Sequence, residues 1–366
     1  WSSDVCSSDL IWQHLCRIYP DWYRGCQKHR KNQARRYFCS GSCGGRLDLG
    51  IGGDQMVKIA FVFPGQGSQF IGMGKDFYDH VPGAKELFDE AADVLGYDLV
   101  NICFNGPDET LRLTENTQPA LLIHSTMALK ILRENGINSV LAAGHSLGEF
   151  SALVAAGALK FRDAVRLVRL RGQFMQEAVP VGVGSMAAII GLPVESIQEL
   201  CDKVSSETNL VQPANLNSPV QTVIAGHKEA VEMVSENALS AGAKKAVMLP
   251  VSAPFHSALM KPAEIRLQKE LEDTEFYDLS FPIINNIEAK PITKGSDARE
   301  SLIKQVCSPV RWCETMQSIV NHEIDTVVEL GPGKVLSGLM KRFDKSIKCY
   351  QVSDRKSLSQ TLSALK

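Results

Sequence analysis

Charge of one sign is what this 366-residue sequence most lacks: 39 Lys and Arg stand against 41 Asp and Glu, a formal net charge of −2. That balance argues against a general nucleic-acid binder. No apolar run approaches the roughly 20 residues of a membrane-spanning helix. Beyond residue 56 there is no repeat, no low-complexity tract and no Cys-x-x-Cys pair. The five cysteines there, Cys103, Cys201, Cys307, Cys313 and Cys349, are odd in number and read as free, mostly buried thiols in a reducing compartment. The loop Pro64-Gly65-Gln66-Gly67-Ser68-Gln69 is not a dinucleotide fingerprint, because the third position after Gly67 is Phe70. What is present, 44% hydrophobic and 22% charged residues, is ordinary for a globular protein.

The first 55 residues differ from the rest. They carry five of the ten cysteines, three of the four tryptophans and an Arg/Lys-rich stretch from Arg24 to Arg36, without sustained periodicity. The opening Trp1-Ser2-Ser3-Asp4-Val5-Cys6-Ser7-Ser8-Asp9-Leu10 repeats Ser-Ser-Asp as translated adapter sequence would. Residues 1–55 are therefore expected to be a non-native or disordered extension, with the native protein starting at Met56. Two alternatives stay open. A transit peptide would be Arg-rich, although Asp4, Asp9 and Asp21 count against it. Cys26, His29, Cys39 and Cys43 could hold zinc, although their spacing is loose.

From Val57 onward strands and helices alternate, which points to an α/β fold with a mostly parallel sheet. Strands are expected at 57–63 and 139–143, and helices over Ala84–Leu95, Pro119–Arg133, Glu149–Ala156 and Phe161 to about Ala178. Between Ser185 and Pro250 the order becomes β-α-β-β-α-β, a ferredoxin-like unit. Residues 185–250 are read as a subdomain inserted into a large hydrolase-like domain made of 57–184 and 251–366. The later part predicts a helix over Ala258–Glu272, a strand over Phe281–Ile284, and helices over Ala298–Val306 and Arg311–Asn321. A strand over Thr326–Leu330, a helix over Val335–Phe343 and a strand over Lys348–Val352 complete it.

Chemistry concentrates at Gly144-His145-Ser146-Leu147-Gly148. A strand before and a helix after make this G-x-S-x-G a nucleophile elbow, with Ser146 at its tip. Glycines two residues either side let strand and helix approach closely. The Leu147 N–H lies at the helix N-terminus, where unpaired donors favour an oxyanion, and a donor from the Gln66 loop could complete the hole. A serine nucleophile needs a base. His145 projects to the opposite face from Ser146, and His80, His124, His227 and His322 read as structural or surface groups. His256, where the inserted subdomain hands back to the main domain, is the candidate base. The acids between Ser146 and His256 are expected on solvent-facing helices, so no triad carboxylate is evident, and a backbone carbonyl could orient the histidine instead. Arg171 falls on the apolar face of its helix with Ala164, Leu167, Val168, Phe174 and Met175. A buried guanidinium needs an anion, from a protein carboxylate or a substrate carboxylate.

Taken together, these segments resemble a known family. They are Phe63-Pro64-Gly65-Gln66-Gly67-Ser68-Gln69, Thr117-Gln118-Pro119-Ala120, Gly144-His145-Ser146-Leu147-Gly148-Glu149, Arg171-Gly172, Asn215-Leu216-Asn217-Ser218-Pro219, Pro254-Phe255-His256 and Gly331-Pro332-Gly333-Lys334. From about Val57 to the C-terminus the chain resembles the malonyl-CoA:acyl carrier protein transacylases of type II fatty acid synthesis. The resemblance implies that Ser146 is acylated, that His256 is its base, and that Arg171 binds the malonate carboxylate. It implies an oxyanion hole from the N–H groups of Gln66 and Leu147, and a main-chain carbonyl of Gln305 orienting the histidine. His145, Asn215 and Asn217 would support the site, and Phe255 resembles the version that takes malonyl over branched groups. No metal and no bound cofactor are implied; malonyl-CoA and the phosphopantetheinylated carrier are substrates. A cytoplasmic monomer is expected. Lys334, Lys341, Arg342, Lys345, Lys348, Arg355 and Lys356 gather near the C-terminus, as a landing surface for an acidic carrier or simply a solvated face. Two rivals remain: a serine thioesterase or esterase on a similar elbow, and a non-catalytic carrier-binding module.

Overall fold

Ile59-Ala60-Phe61-Val62-Phe63 is apolar at every position, so a strand made from it must be covered on both faces. The computed structural model, which describes residues 57–251 and 253–366, makes it the strand β1 inside a six-stranded sheet. The expectations for residues 1–55 lie outside the described residues. Alternation sends Ile59, Phe61 and Phe63 into one buried cluster and Ala60 and Val62 into another. The helix Thr114–Glu134 covers the first face and is buried along almost its whole length. The helices Trp312–Asn321 and Val335–Phe343 cover the second with Trp312, Met316, Leu336 and Leu339.

After β1 (Ile59–Phe63) and β2 (Leu141–Gly144) come β3 (Gly184–Ile190), β4 (Val211–Ser218), β5 (Gln221–His227) and β6 (Lys245–Met248), then β7 (Ile283–Ile284), β8 (Pro291–Ile292), β9 (Thr326–Leu330) and β10 (Lys348–Val352). The large sheet has the order β10-β9-β1-β2-β7-β8 and is parallel except for its edge pair β7–β8. Phe63 pairs with Gly144, so β1 and β2 end side by side. In an open parallel sheet that carboxyl edge is where sites are built.

The second sheet, β4-β5-β3-β6, is antiparallel, and with the helices Val194–Val204 and Lys228–Ser240 it follows the order β-α-β-β-α-β. Ala187, Ile189 and Ile224 face those helices through Ile197, Cys201, Val231 and Val234. Met186, Ala188, Val223 and Ala225 face the other way and join the main core. This sheet thus shares its inner face with the large one.

Several elements differ from the sequence reading. The helix expected from Pro119 begins at Thr114, and Pro119 sits inside it. Thr117 Oγ1 donates to the Leu111 carbonyl at 2.6 Å and ties this early turn down. The strand expected over Phe281–Ile284 shortens to Ile283–Ile284. Helices Lys75–His80, Leu99–Asn105 and Asp108–Arg112 and the strand β8 are too short for a period to reveal. The helix Arg355–Leu365 opens on a reciprocal cap between Asp354 and Ser357, a weaker sequence signature than the Glu or Gln form. Among the described residues, no helix is long and apolar enough to cross a membrane.

Candidate active site

The turn between β2 and the helix Gly148–Ala155 is tight because its glycines leave no alternative. A Cβ on Gly144 would stand 1.9 Å from the Gly148 carbonyl group, and one on Gly148 would stand 2.1 Å from the Phe63 oxygen. Ser146 at the tip takes φ 53, the left-handed region that a side chain rarely adopts. Asn286 secures this conformation. Its Oδ1 accepts the Ser146 N–H at 2.7 Å, and its Nδ2 donates to the Gly144 carbonyl at 2.6 Å.

The only other strained residue of the site is His256, at φ 60, buried and facing the serine. Its Nδ1 lies 2.9 Å from the Gln305 carbonyl oxygen, which can only accept, so Nδ1 carries the proton. That leaves Nε2 as an acceptor, 2.7 Å from Ser146 Oγ, whose hydroxyl donates to it. Burial, and then the neighbouring Arg171 charge, push the His256 pKa down to about 3 against the pull of the Gln305 carbonyl. The resting imidazole is neutral and ready to take a proton.

Arg171 is fully buried on the helix Phe161–Glu177. Its Nη1 donates to Gln118 Oε1 at 2.8 Å; its Nη2 donates to Gln305 Oε1 at 3.0 Å and to Ser146 Oγ at 3.1 Å. All three partners are uncharged. No carboxylate among the described residues forms an ion pair with this guanidinium, and its Nε is buried without a partner. Burial lowers its pKa to about 10, opposed by Glu149, so it remains a cation at neutral pH. Of the two anions left open by the sequence, a protein carboxylate is not in direct contact, which leaves room for one from outside.

Gly65 packs against the His145 carbonyl, where a Cβ would come within 2.5 Å, and this places Gln66 beside the elbow. The first helical N–H groups after the serine bond backward, Gly148 to His145 and Glu149 to Ser146; the Leu147 N–H takes no part in these. The Gln66 side chain donates to Thr114 Oγ1 at 3.2 Å. His145 is anchored to the second sheet: its Nε2 donates to Asn217 Oδ1 at 2.9 Å, and its ring tilts against Trp312 at 5.5 Å.

One cavity brings together Gln66, His145, Ser146, Leu147, Arg171, Asn215, Phe255 and His256. Gln305 and Asn217 stand behind it. Its remaining lining, Gln118, Met175, Met186, Leu249 and Val251, was not singled out as site residues by the sequence reading. The apolar members suit a narrow ligand with few polar atoms.

Two buried residues behind the cavity also escaped that reading. Glu149 corrects the expectation that acids near the serine face solvent: it has no exposed surface. Burial raises its pKa, and hydrogen bonds from Ser301, Gln305 and the Asn286 N–H pull it back. Asn286 is equally buried. A polar Asn285-Asn286 pair directly after an apolar strand was the available signal, since polar groups at strand carboxyl ends often serve a site. Glu149 left no signal in phase, because seven of the eight residues of its helix are buried.

Among the described residues, no three His, Cys, Asp or Glu side chains gather as a metal site requires. Of the basic residues near the C-terminus, Arg355 is engaged with Asp76 at 2.9 Å, while Lys334, Lys341, Arg342, Lys345, Lys348 and Lys356 are exposed.

The family profile described as acyl transferase domain matches residues 60–358. The malonyl CoA-acyl carrier protein transacylase of Bacillus subtilis (strain 168) is 51% identical over 311 residues, which are 85% of this chain and 98% of that protein. Its counterpart of the same name in Escherichia coli (strain K12) is 46% identical over 308 residues, 84% of this chain and 99% of that protein. Among solved structures, the malonyl CoA-acyl carrier protein transacylase from Coxiella burnetii aligns with a TM-score of 0.82 at 42% identity, covering 85% of this chain and 98% of that one. A malonyl-transacylase in complex with its type II PKS acyl-carrier protein aligns with a TM-score of 0.82 at 47% identity, covering 84% and 99%.

Proposed function

This chain belongs to the acyl transferase domain family, with malonyl CoA-acyl carrier protein transacylases as relatives over most of its length, and we propose that it moves malonyl from malonyl-CoA to the phosphopantetheine thiol of an acyl carrier protein. The observation that carries the acyl preference is Arg171, a buried cation within reach of Ser146 Oγ and without a protein carboxylate in contact.

The reaction runs in two halves. Ser146 Oγ attacks the thioester carbon while its proton passes to His256 Nε2. The N–H groups of Gln66 and Leu147 hold the developing oxyanion; one such donor is worth about 3 kcal/mol of barrier. The carbon–sulfur bond breaks, coenzyme A leaves, and its sulfur takes the proton from His256. The carrier thiol then gives its proton to His256 and attacks the malonyl-serine ester. Ser146 Oγ departs and recovers the proton. Throughout, Arg171 pairs with the malonyl carboxylate in a bidentate fork, the Nη2 hydrogen held by Ser146 Oγ at rest turning to the substrate.

In this reading residues 185–250 are a ferredoxin-like subdomain inserted between 57–184 and 251–366. A cytoplasmic setting belongs to it as well, supported by the free thiols of the described cysteines.

Mixing the protein with malonyl-CoA and recording an intact mass tests the reading. A malonyl adduct that persists, transfers to a carrier protein and is absent from Ser146→Ala supports it. Rapid malonate release without carrier acylation would favour a thioesterase, and carrier binding without any adduct a non-catalytic module.

A further inference from the structure

A guanidinium that must receive a substrate carboxylate faces a conflict. Buried, it needs a counter-charge; yet a protein carboxylate in direct contact would fill the fork meant for the ligand. Glu149 sits one residue farther back. Its Oε2 accepts from Gln305 Nε2 at 2.9 Å, and Gln305 Oε1 accepts from Arg171 Nη2 at 3.0 Å. The amide can be oriented in only one way here: arginine only donates, so Gln305 Oε1 must face Nη2, which turns Nε2 toward Glu149. Glu149 Oε1 is fixed by Ser301 Oγ at 2.8 Å, and its Oε2 also accepts the Asn286 N–H at 3.0 Å.

We propose that Glu149 is a positioning residue for acyl selection: through the Gln305 side-chain amide it orients Arg171 and supplies its counter-charge at one remove, leaving the guanidinium open to the substrate carboxylate. The inference rests on the malonyl-binding role proposed for Arg171. Gln305 Nε2 spends its second hydrogen on the Ser146 carbonyl at 3.0 Å, so the amide cannot rotate without breaking a bond to the elbow. The route through Asn286 ends on the elbow backbone, with only a long 3.4 Å contact back to Gln305 Nε2, and so bears mainly on transfer of every acyl group. The route through Gln305 reaches Arg171, whose effect on carboxylated acyl groups exceeds its effect on the nucleophile it also touches.

The experiment measures kcat/KM for malonyl-CoA and for acetyl-CoA in Glu149→Gln, Gln305→Met and the double variant of the full chain, with Arg171→Ala as reference. Glu149→Gln should lower the malonyl-to-acetyl ratio about tenfold, the scale of one hydrogen bond to a charged group. The double variant should match the ratio of Gln305→Met alone, because the two residues act in series. Equal loss on both substrates in Glu149→Gln, or a double variant whose ratio falls by the product of the single losses, overturns the proposal. Should Glu149→Gln fail to fold, Ser301→Ala carries the test: the ratio falls in the same direction by a smaller factor, and an unchanged ratio overturns the proposal. A ratio unaltered by Arg171→Ala removes the underlying reading and this inference with it. A ratio that falls in Arg171→Ala but holds in Glu149→Gln overturns the inference alone.

Discussion

Arg171 Nη2 and Ser146 Oγ share a hydrogen bond of 3.1 Å, made to the same oxygen that faces His256 at 2.7 Å. The cation that would read the substrate thus touches the atom that would attack it.

Replacing Arg171 with Ala should therefore lower use of malonyl-CoA far more than use of acetyl-CoA. A hydrogen-bonded charge is worth about 1.5–3 kcal/mol, which is roughly 10- to 150-fold in the malonyl-to-acetyl ratio of kcat/KM. Arg171→Lys should recover only part, since an ammonium cannot form the fork. Equal loss on both substrates would make Arg171 structural.

His256 is neutral at rest, with its pKa pushed down to about 3 by burial and by Arg171. Acylation of the free protein should accordingly keep its rate as pH falls from 7 to 5. Stopped-flow acylation measured across that range checks this, and an inflection near 6.5, the ordinary histidine value, would contradict it.

His124, sealed in the core with Nε2 on the Ser353 carbonyl, is held down to about 4, mainly by burial. Below pH 6.5 the unfolded chain takes a proton that the folded one refuses. The stability present above 6.5 therefore drains as pH falls toward 4, at about 1.4 kcal/mol per pH unit for one whole proton. Urea unfolding at several pH values should yield a shallower decline for His124→Gln than for the native sequence. The raised carboxyls Glu149 and Glu329 work in the opposite direction and are common to both proteins, so the difference between the two curves isolates the histidine.

Gly144→Ala should be among the most damaging single changes. Its Cβ would meet backbone at 1.9 Å, and backbone on both sides is pinned by the sheet and the helix. A loss of about 3 kcal/mol or more, at the upper end for overpacking, should appear in denaturant unfolding. Gly67→Ala provides the contrast: nothing lies within 4 Å of its added Cβ, so its cost is limited to its φ of 102.

Removing the Asn286 side chain leaves the Ser146 N–H and the Gly144 carbonyl without their partner. Asn286→Ala should cost about 1–3 kcal/mol of stability for each buried group left unpaired. It should also lower kcat for malonyl-CoA and acetyl-CoA alike, an unchanged ratio being the check.

Much of this arrangement was legible in the sequence because periodicity and glycine spacing leave physical traces. The strand β1, the inward phase of Arg171 and the Gly144–Gly148 spacing each state a burial or a clearance, and the fold realises all three. What stayed hidden were relationships between distant segments. Nothing local to Asn286 says that it will reach Ser146, 140 positions earlier. Glu149 was hidden for a different reason: a single acid after an elbow reads as a first-turn helix residue favoured by the dipole, and only the burial of its helix on every side turns it inward. Helices of five to seven residues, such as Asp108–Arg112, hold too few turns to declare a face.

Gln305 serves the site twice, once through its main-chain oxygen on His256 and once through its amide on Arg171. Those two duties have different exposure to mutation. Any amino acid at position 305 still brings a carbonyl, so under the proposed mechanism His256 would keep its orientation through a change of codon that a triad carboxylate would not survive. The amide has no such protection. Drift at this position would therefore erode the choice of acyl group long before it erodes the power to transfer one, and a lineage exploring new acyl donors could begin there without first losing its catalyst.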